Sequence, residues 1–233
     1  MSRMRAAIRQ DVRLQARAKL YAIGIAVALL MGLAGRFFFA SDQAAVVLPL
    51  FYLLGLGGTT FMFGASMLLL EKSDGTLAAL RVSPLTAQEY LRSKAVTLTG
   101  FALFESAIVF AFVYREGAVQ PTWLLAGLVA LGLSYTYIGI GMACAYDSVT
   151  AFLFPSATLV SVVMQLPFLG PLGIGEPWAW RIVPTAGPLD LMRAGFGADV
   201  PLGYAVGMSL ALVVGSMLYA TMRFRRHIRL REV

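Results

Sequence analysis

Glu105 is the single ionisable residue within the apolar run Ala95–Val113. Lys94 closes that run on one side, and a helix from Lys94 to Glu105 rises about 16 Å at 1.5 Å per residue. A carboxyl there stands near the middle of a bilayer, where charge is costly and usually faces a bundle interior or a water-filled cavity. Two chemistries suit it: a polar contact for a transported molecule, or the uptake and release of a proton. The alternative is a structural carboxyl held by hydrogen bonds from Tyr135, Thr136 or Gln165. The residue type supports both readings.

Other chemistry is poorly supplied. Cys144 is the one cysteine, so no internal disulfide and no cysteine metal cluster is expected. His227, the one histidine, stands in a basic tail and reads as a solvated tail residue. No metal motif and no nucleophile–base pair is visible, so neither a catalytic residue nor a metal site is expected. The phosphate-binding pattern G-x-x-x-x-G-K-[ST] is absent as well. If ATP drives this protein, another chain must bind it.

The elements that would position Glu105 follow from the segregation of charge. Only 13% of the 233 residues are charged and 59% are apolar, against about 25% charged in an ordinary soluble domain. Gln43–Leu70, Gly117–Tyr146, Ser148–Gly175 and Val200–Met222 carry no charge at all. Leu20–Ala40 is broken only by Arg36, and Ala95–Val113 only by Glu105. A helix of about 20 apolar residues crosses the hydrocarbon core, so the sequence predicts an all-α membrane protein with six transmembrane helices. The expected organisation is an interfacial helix at 1–19, a six-span transmembrane domain at 20–222 and a basic tail at 223–233. No cleavable signal peptide is expected, because the basic start runs into a full-length span.

Lysine and arginine set the orientation. Fifteen lie before the first span, in the loop 71–94 and in the C-terminal tail, and four (Arg36, Arg115, Arg181, Arg193) lie on the other side. Both termini and the loop 71–94 are therefore expected in the cytoplasm, with Trp123, Trp178 and Trp180 at the outer interface. The net charge of +7 suits the anionic inner leaflet and calls for no nucleic-acid partner. Met4, Ile8, Val12, Ala16 and Leu20 recur beside Arg5, Arg9, Arg13 and Arg17. That pairing of stripes predicts an amphipathic helix lying in the cytoplasmic interface.

The loop 71–94 carries its own helix signals. Asp74 suits the N-cap of a short helix over 76–82. Leu77 and Leu80 share a face of it, and Ser83-Pro84 stops it. Thr86 and Glu89 then form a capping box that starts the third span. The second span is longer than a bilayer needs, and Gly57-Gly58 and Gly64 are expected to let it bend.

The run Glu71…Gly75-Thr76-Leu77…Leu80…Ser83-Pro84-Leu85…Glu89-Tyr90-Leu91…Lys94 resembles the signature loop of type-two ATP-binding-cassette (ABC) exporter permeases. In that family the short helix is the coupling helix, which docks on a separate ATPase subunit. The resemblance implies that Glu71, Asp74, Gly75, Thr76, Leu77, Leu80, Ser83 and Pro84 form the ATPase-coupling interface. It implies no cofactor in this chain, with ATP and Mg held by the partner ATPase. It also implies a second permease subunit, as homodimer or heterodimer, in the plasma (inner) membrane of a bacterium.

Pro184-Thr185…Arg193 is similar to the family's stretch before the last span, so Pro184 and Arg193 are candidates for an external gate within the segment 170–202. The resemblance sets the second and fifth spans beside the central pathway. Thr59, Met62 and Ser66 on the one, Met164 and Gln165 on the other, then join Glu105 as substrate-pathway candidates. Small members without an external domain resemble drug-export permeases, including those associated with fluoroquinolone or anthracycline efflux, which implies an amphiphilic or hydrophobic cargo. Two other readings stay open: a proton-coupled carrier using Glu105, and a non-transporting membrane scaffold for a cytoplasmic partner. Gly203, Gly207, Ala211 and Gly215 in the last span, and Gly24, Ala28 and Gly32 in the first, suit close helix packing, either within the chain or between subunits.

Overall fold

A computed structural model describes residues 3–77, 85–175 and 177–230. Among these residues every regular element is helical. Helix α1 spans Arg3–Arg17 and α2 spans Leu20–Phe38. Between them Lys19 takes a left-handed conformation, φ 59°, which ends one helix and redirects the next.

The second apolar column, Ala44–Ser73, consists of α3 (Ala44–Phe51), a widened π-turn (Tyr52–Leu56) and α4 (Gly57–Ser73). The irregular turn follows Pro49, which cannot donate a backbone hydrogen bond inside α3. The column therefore deforms just before Gly57-Gly58. Gly64 serves packing instead: a Cβ there would lie 2.9 Å from the Thr136 carbonyl oxygen, so the glycine lets α4 cross close to α6.

Helix α5 (Ala87–Val113) starts at the expected capping box. Thr86 Oγ1 accepts from the Glu89 N–H at 3.2 Å, and Glu89 Oε2 accepts from the Thr86 N–H at 2.9 Å. Helix α6 (Pro121–Ala143) has proline in its first turn, where a missing N–H costs nothing. It is the hub, packing on α4, on α5 and on two helices described next. Those are α9 (Ala186–Gly195) and α10 (Leu202–Leu230), which follow α7 (Val149–Thr158) and the single turn α8 (Pro177–Trp180). Glycine again permits the approach: a Cβ on Gly195 would lie 2.9 Å from the Leu124 N atom.

Among the described residues five columns are long and apolar enough to cross a membrane: α2, α3–α4, α5, α6 and Leu202–His227 of α10. The sixth expected run differs. Helix α7 contains Pro155, widens into a π-segment over Leu159–Met164, and gives way after Gln165 to a 3-10 turn at Leu166–Leu169. Proline at 155 and again at 167 interrupts the hydrogen-bond ladder that a regular helix of about 20 residues would need. Helix α10 continues into the expected basic tail, where Phe224 is fully buried and stacks on Tyr90 at 4.8 Å.

Candidate functional site

The start of the loop 71–94 is built on two buried charges. Glu71 and Lys72 end α4 and are 8% and 9% exposed. Glu71 Oε1 accepts from Lys94 Nζ at 2.7 Å, and its Oε2 accepts from the Tyr90 hydroxyl. Lys94 is fully buried and lies 2.8 Å from Asp11 Oδ1 of α1. Ser93 donates to the other Asp11 oxygen, and the Lys94 ammonium stands 4.5 Å from the Tyr90 ring centre. Lys72 turns the other way: Nζ is 2.9 Å from Asp147 Oδ1 and donates to the carbonyls of Tyr146 and Cys144, just beyond the end of α6. A buried ammonium is tolerable only with such partners.

Beyond these anchors the chain surfaces. Asp74 is the C-cap of α4 and lies 3.8 Å from Arg17. Gly75 has φ 69°, a conformation that suits glycine at a helix end. Thr76 donates to the Glu71 carbonyl at 3.0 Å. Ser73, Asp74, Gly75 and Thr76 are exposed, whereas Leu77 turns inward and is 9% exposed within the core. Asp74, expected as the N-cap of a short helix at 76–82, closes α4 as its C-cap, and Leu80, Ser83 and Pro84 lie outside the described residues. A cleft of about 260 Å³ opens between α1 and this rim, lined by Arg13, Arg17, Glu71, Asp74 and Thr76 among others.

Asp11 and Lys94 did not figure among the site residues read from the sequence. The helical pattern of α1 is apolar beside basic, yet the residues that α1 buries are Asp11 and Gln15. Gln15 donates to Thr97 of α5 at 2.8 Å and accepts from Tyr21. Val12, Ala16 and the arginines point away from the bundle. The signal was present: Asp11 is the one acid in the first nineteen residues.

The pathway candidates fall into two groups. Glu105 is 1% exposed, and its Oε2 faces Thr59 Oγ1 at 3.4 Å. Its other oxygen has no hydrogen-bond partner among the described residues. Tyr135, Thr136 and Gln165 bond elsewhere: Tyr135 faces the Met164 carbonyl at 3.5 Å, Thr136 donates within its own helix, and Gln165 donates to the Leu54 carbonyl at 3.1 Å. Gln165 and Met164 therefore seat against the π-turn and α6, away from Glu105. Thr59, Met62 and Ser66 lie at helical spacing on one half-exposed strip of α4.

Pro184 lines an apolar groove of about 350 Å³ between α6 and α10. Arg193 instead reaches one turn back to Asp190 at 3.0 Å. Asp190, 5% exposed, also has Arg181 at 3.8 Å. Burial pushes the Asp190 carboxyl above its ordinary value, and the two arginines pull it partly back. Sequence reading took Arg193 alone, although an acid three residues before an arginine on a helix is a pairing signal. The small-residue stripes also part company. Gly24 and Gly32 pack on α5, whereas Gly203, Gly207 and Gly215 of α10 have nothing within 4 Å of a Cβ position.

Residues 2–232 match the model of the fluoroquinolones export permease protein family. The fluoroquinolones export permease proteins of two Mycobacterium tuberculosis strains, CDC 1551 / Oshkosh and ATCC 25618 / H37Rv, are each 27% identical over 173 residues, 72% of this chain and 72% of theirs. The chain belongs to the fluoroquinolones export permease protein family.

Proposed function

We propose that this chain is the membrane permease of an ATP-driven exporter whose ATP is hydrolysed, with Mg, on a separate cytoplasmic subunit. The observation that carries this reading is the construction of the loop 71–94. A rim exposed at Ser73–Thr76 stands on two buried charged anchors, Glu71 and Lys72. An ordinary connection between spans has no need of such a foundation. The ATPase docks on that rim, on the adjoining cleft and on Leu80, Ser83 and Pro84, while Leu77 seats the loop from within.

In this reading the α7 segment completes a sixth crossing. Both termini face the cytoplasm of a plasma (inner) membrane, and α1 lies in the interface with Val12 and Ala16 toward lipid and with Arg13 and Arg17 at the cleft. A second permease subunit, identical or related, covers the open small-residue stripe of α10. Cargo passes the strip Thr59, Met62 and Ser66, with Glu105 beside it and Met164 and Gln165 beyond. Pro184 and Arg193 border the outer exit. The cargo is an amphiphilic or hydrophobic small molecule, and the names of the relatives make a fluoroquinolone the first to try.

The test is purification of the tagged full chain from native membranes with identification of bound proteins by mass spectrometry. A phosphate-loop ATPase that accompanies the wild type and is lost on Thr76→Lys supports the reading. A well-folded chain that brings down no ATPase contradicts it and favours a scaffold. A proton-coupled carrier remains the second reading, because the buried Glu105 carboxyl has one oxygen without a hydrogen-bond partner among the described residues.

A further inference from the structure

Glu71 and Lys72 are neighbours in the chain, yet they grip opposite sides of the bundle. Through Lys94, Glu71 is tied to α5 and, by Asp11, to α1. Lys72 is tied to the turn that follows α6. In the first grip all three side chains are enclosed, Lys94, Asp11 and Glu71 being 0%, 8% and 10% exposed; in the second Lys72 is 4% exposed and keeps the Tyr146 and Cys144 carbonyls, and only its partner Asp147, 88% exposed, meets solvent. Solvent screens an exposed pair and leaves it a loose, replaceable contact. A buried charge has no substitute partner, so its geometry must be kept or the charge is stranded. Apolar helix faces can slide past one another; a buried ammonium held by two carboxylates resists sliding.

We propose that Lys94 is a positioning residue for transport. It bolts α1 and the start of the loop 71–94 onto α5, so that displacement of the loop is delivered to α5 as a rigid movement. Helix α5 also carries Glu105, about three turns from Lys94 at 3.6 residues per turn, and thereby links the loop mechanically to the middle of the membrane. This inference rests on the exporter reading, because it assigns the force on the loop to an ATPase.

The experiment uses inside-out membrane vesicles containing the full complex, with norfloxacin as the probe, and reads norfloxacin moved per ATP hydrolysed. Asp11→Asn removes the charge that ties α1 to Lys94, while Lys94 keeps Glu71. The triple variant Asp11→Asn, Glu71→Gln, Lys94→Met removes every charge of the bolt at near-constant volume, which guards against misfolding from a stranded ion. The expected result is a fall of about tenfold in norfloxacin moved per ATP for both, with folded protein and ATP hydrolysis preserved; such a factor corresponds to about 1.4 kcal/mol. Asp147→Asn should change the ratio less than twofold. An unchanged ratio in the first two variants overturns the bolt while leaving the exporter reading intact. Absence of ATP-driven norfloxacin movement in the wild type overturns both.

Discussion

Gly24 of α2 stands directly against Glu105 of α5, so closely that a methyl group on the glycine would overlap the carboxylate oxygen Oε1. The same methyl would lie 2.5 Å from the Phe101 ring. Gly24→Ala should therefore destabilise the chain by about 1–3 kcal/mol, the usual cost of overpacking. Gly203→Ala, where a Cβ meets nothing within 4 Å, should leave the melting temperature of the detergent-purified chain unchanged. Equal melting of both variants would contradict this packing.

Glu105→Gln keeps the shape of the side chain and removes its charge and its proton. Since only Thr59 bonds the carboxyl among the described residues, the variant should fold and reach the membrane normally. Export of norfloxacin, read as drug accumulation in cells, should fall about tenfold, a change of about 1.4 kcal/mol. Wild-type export by a normally expressed variant would assign Glu105 a structural role.

Thr86→Ala removes the side-chain half of the capping box at the start of α5, the hydroxyl that accepts from the Glu89 N–H, and leaves the backbone N–H that donates to Glu89. The expected loss is about 1 kcal/mol, typical for an N-cap, seen as a lower melting temperature. Thr86→Ser should retain most of the stability, because a serine hydroxyl can accept the same bond.

Asp190 lies outside the five candidate spans and its carboxyl is held above the ordinary value by burial. The folded state thus binds the proton more tightly than the unfolded chain. This contribution to stability is fully present below the ordinary carboxylate value, about 3.9. It is lost as pH rises through the raised folded value. Asp190→Asn should flatten this dependence in melting curves taken across that window; an identical slope in the variant would contradict it.

Charge segregation predicted six spans, five of which are helical columns long and apolar enough to cross a membrane among the described residues, and the Thr86–Glu89 spacing located the start of α5. These signals are local or depend only on composition. The interrupted run after Ser148 was harder, since apolar composition says nothing about whether Pro155 and Pro167 break a helix. The Asp11–Lys94–Glu71 cluster was harder for a different reason: the lone acid Asp11 stands out in α1, but its partners come from two other helices, and no periodicity within one helix reports a partner on another. Leu77 looked like half of a docking face because i,i+3 spacing defines a face without saying which way it turns. Thr59 and Glu105 were both read as pathway residues, but their meeting depends on how α4 rotates against α5.

In the proposed function ATP, used by a partner subunit, drives export through this chain. Inside-out vesicles bearing the complex should accumulate norfloxacin when ATP is added and should keep doing so after a protonophore abolishes the pH gradient. Accumulation that needs no ATP and collapses with the protonophore would contradict the account and make Glu105 the centre of a proton-coupled carrier.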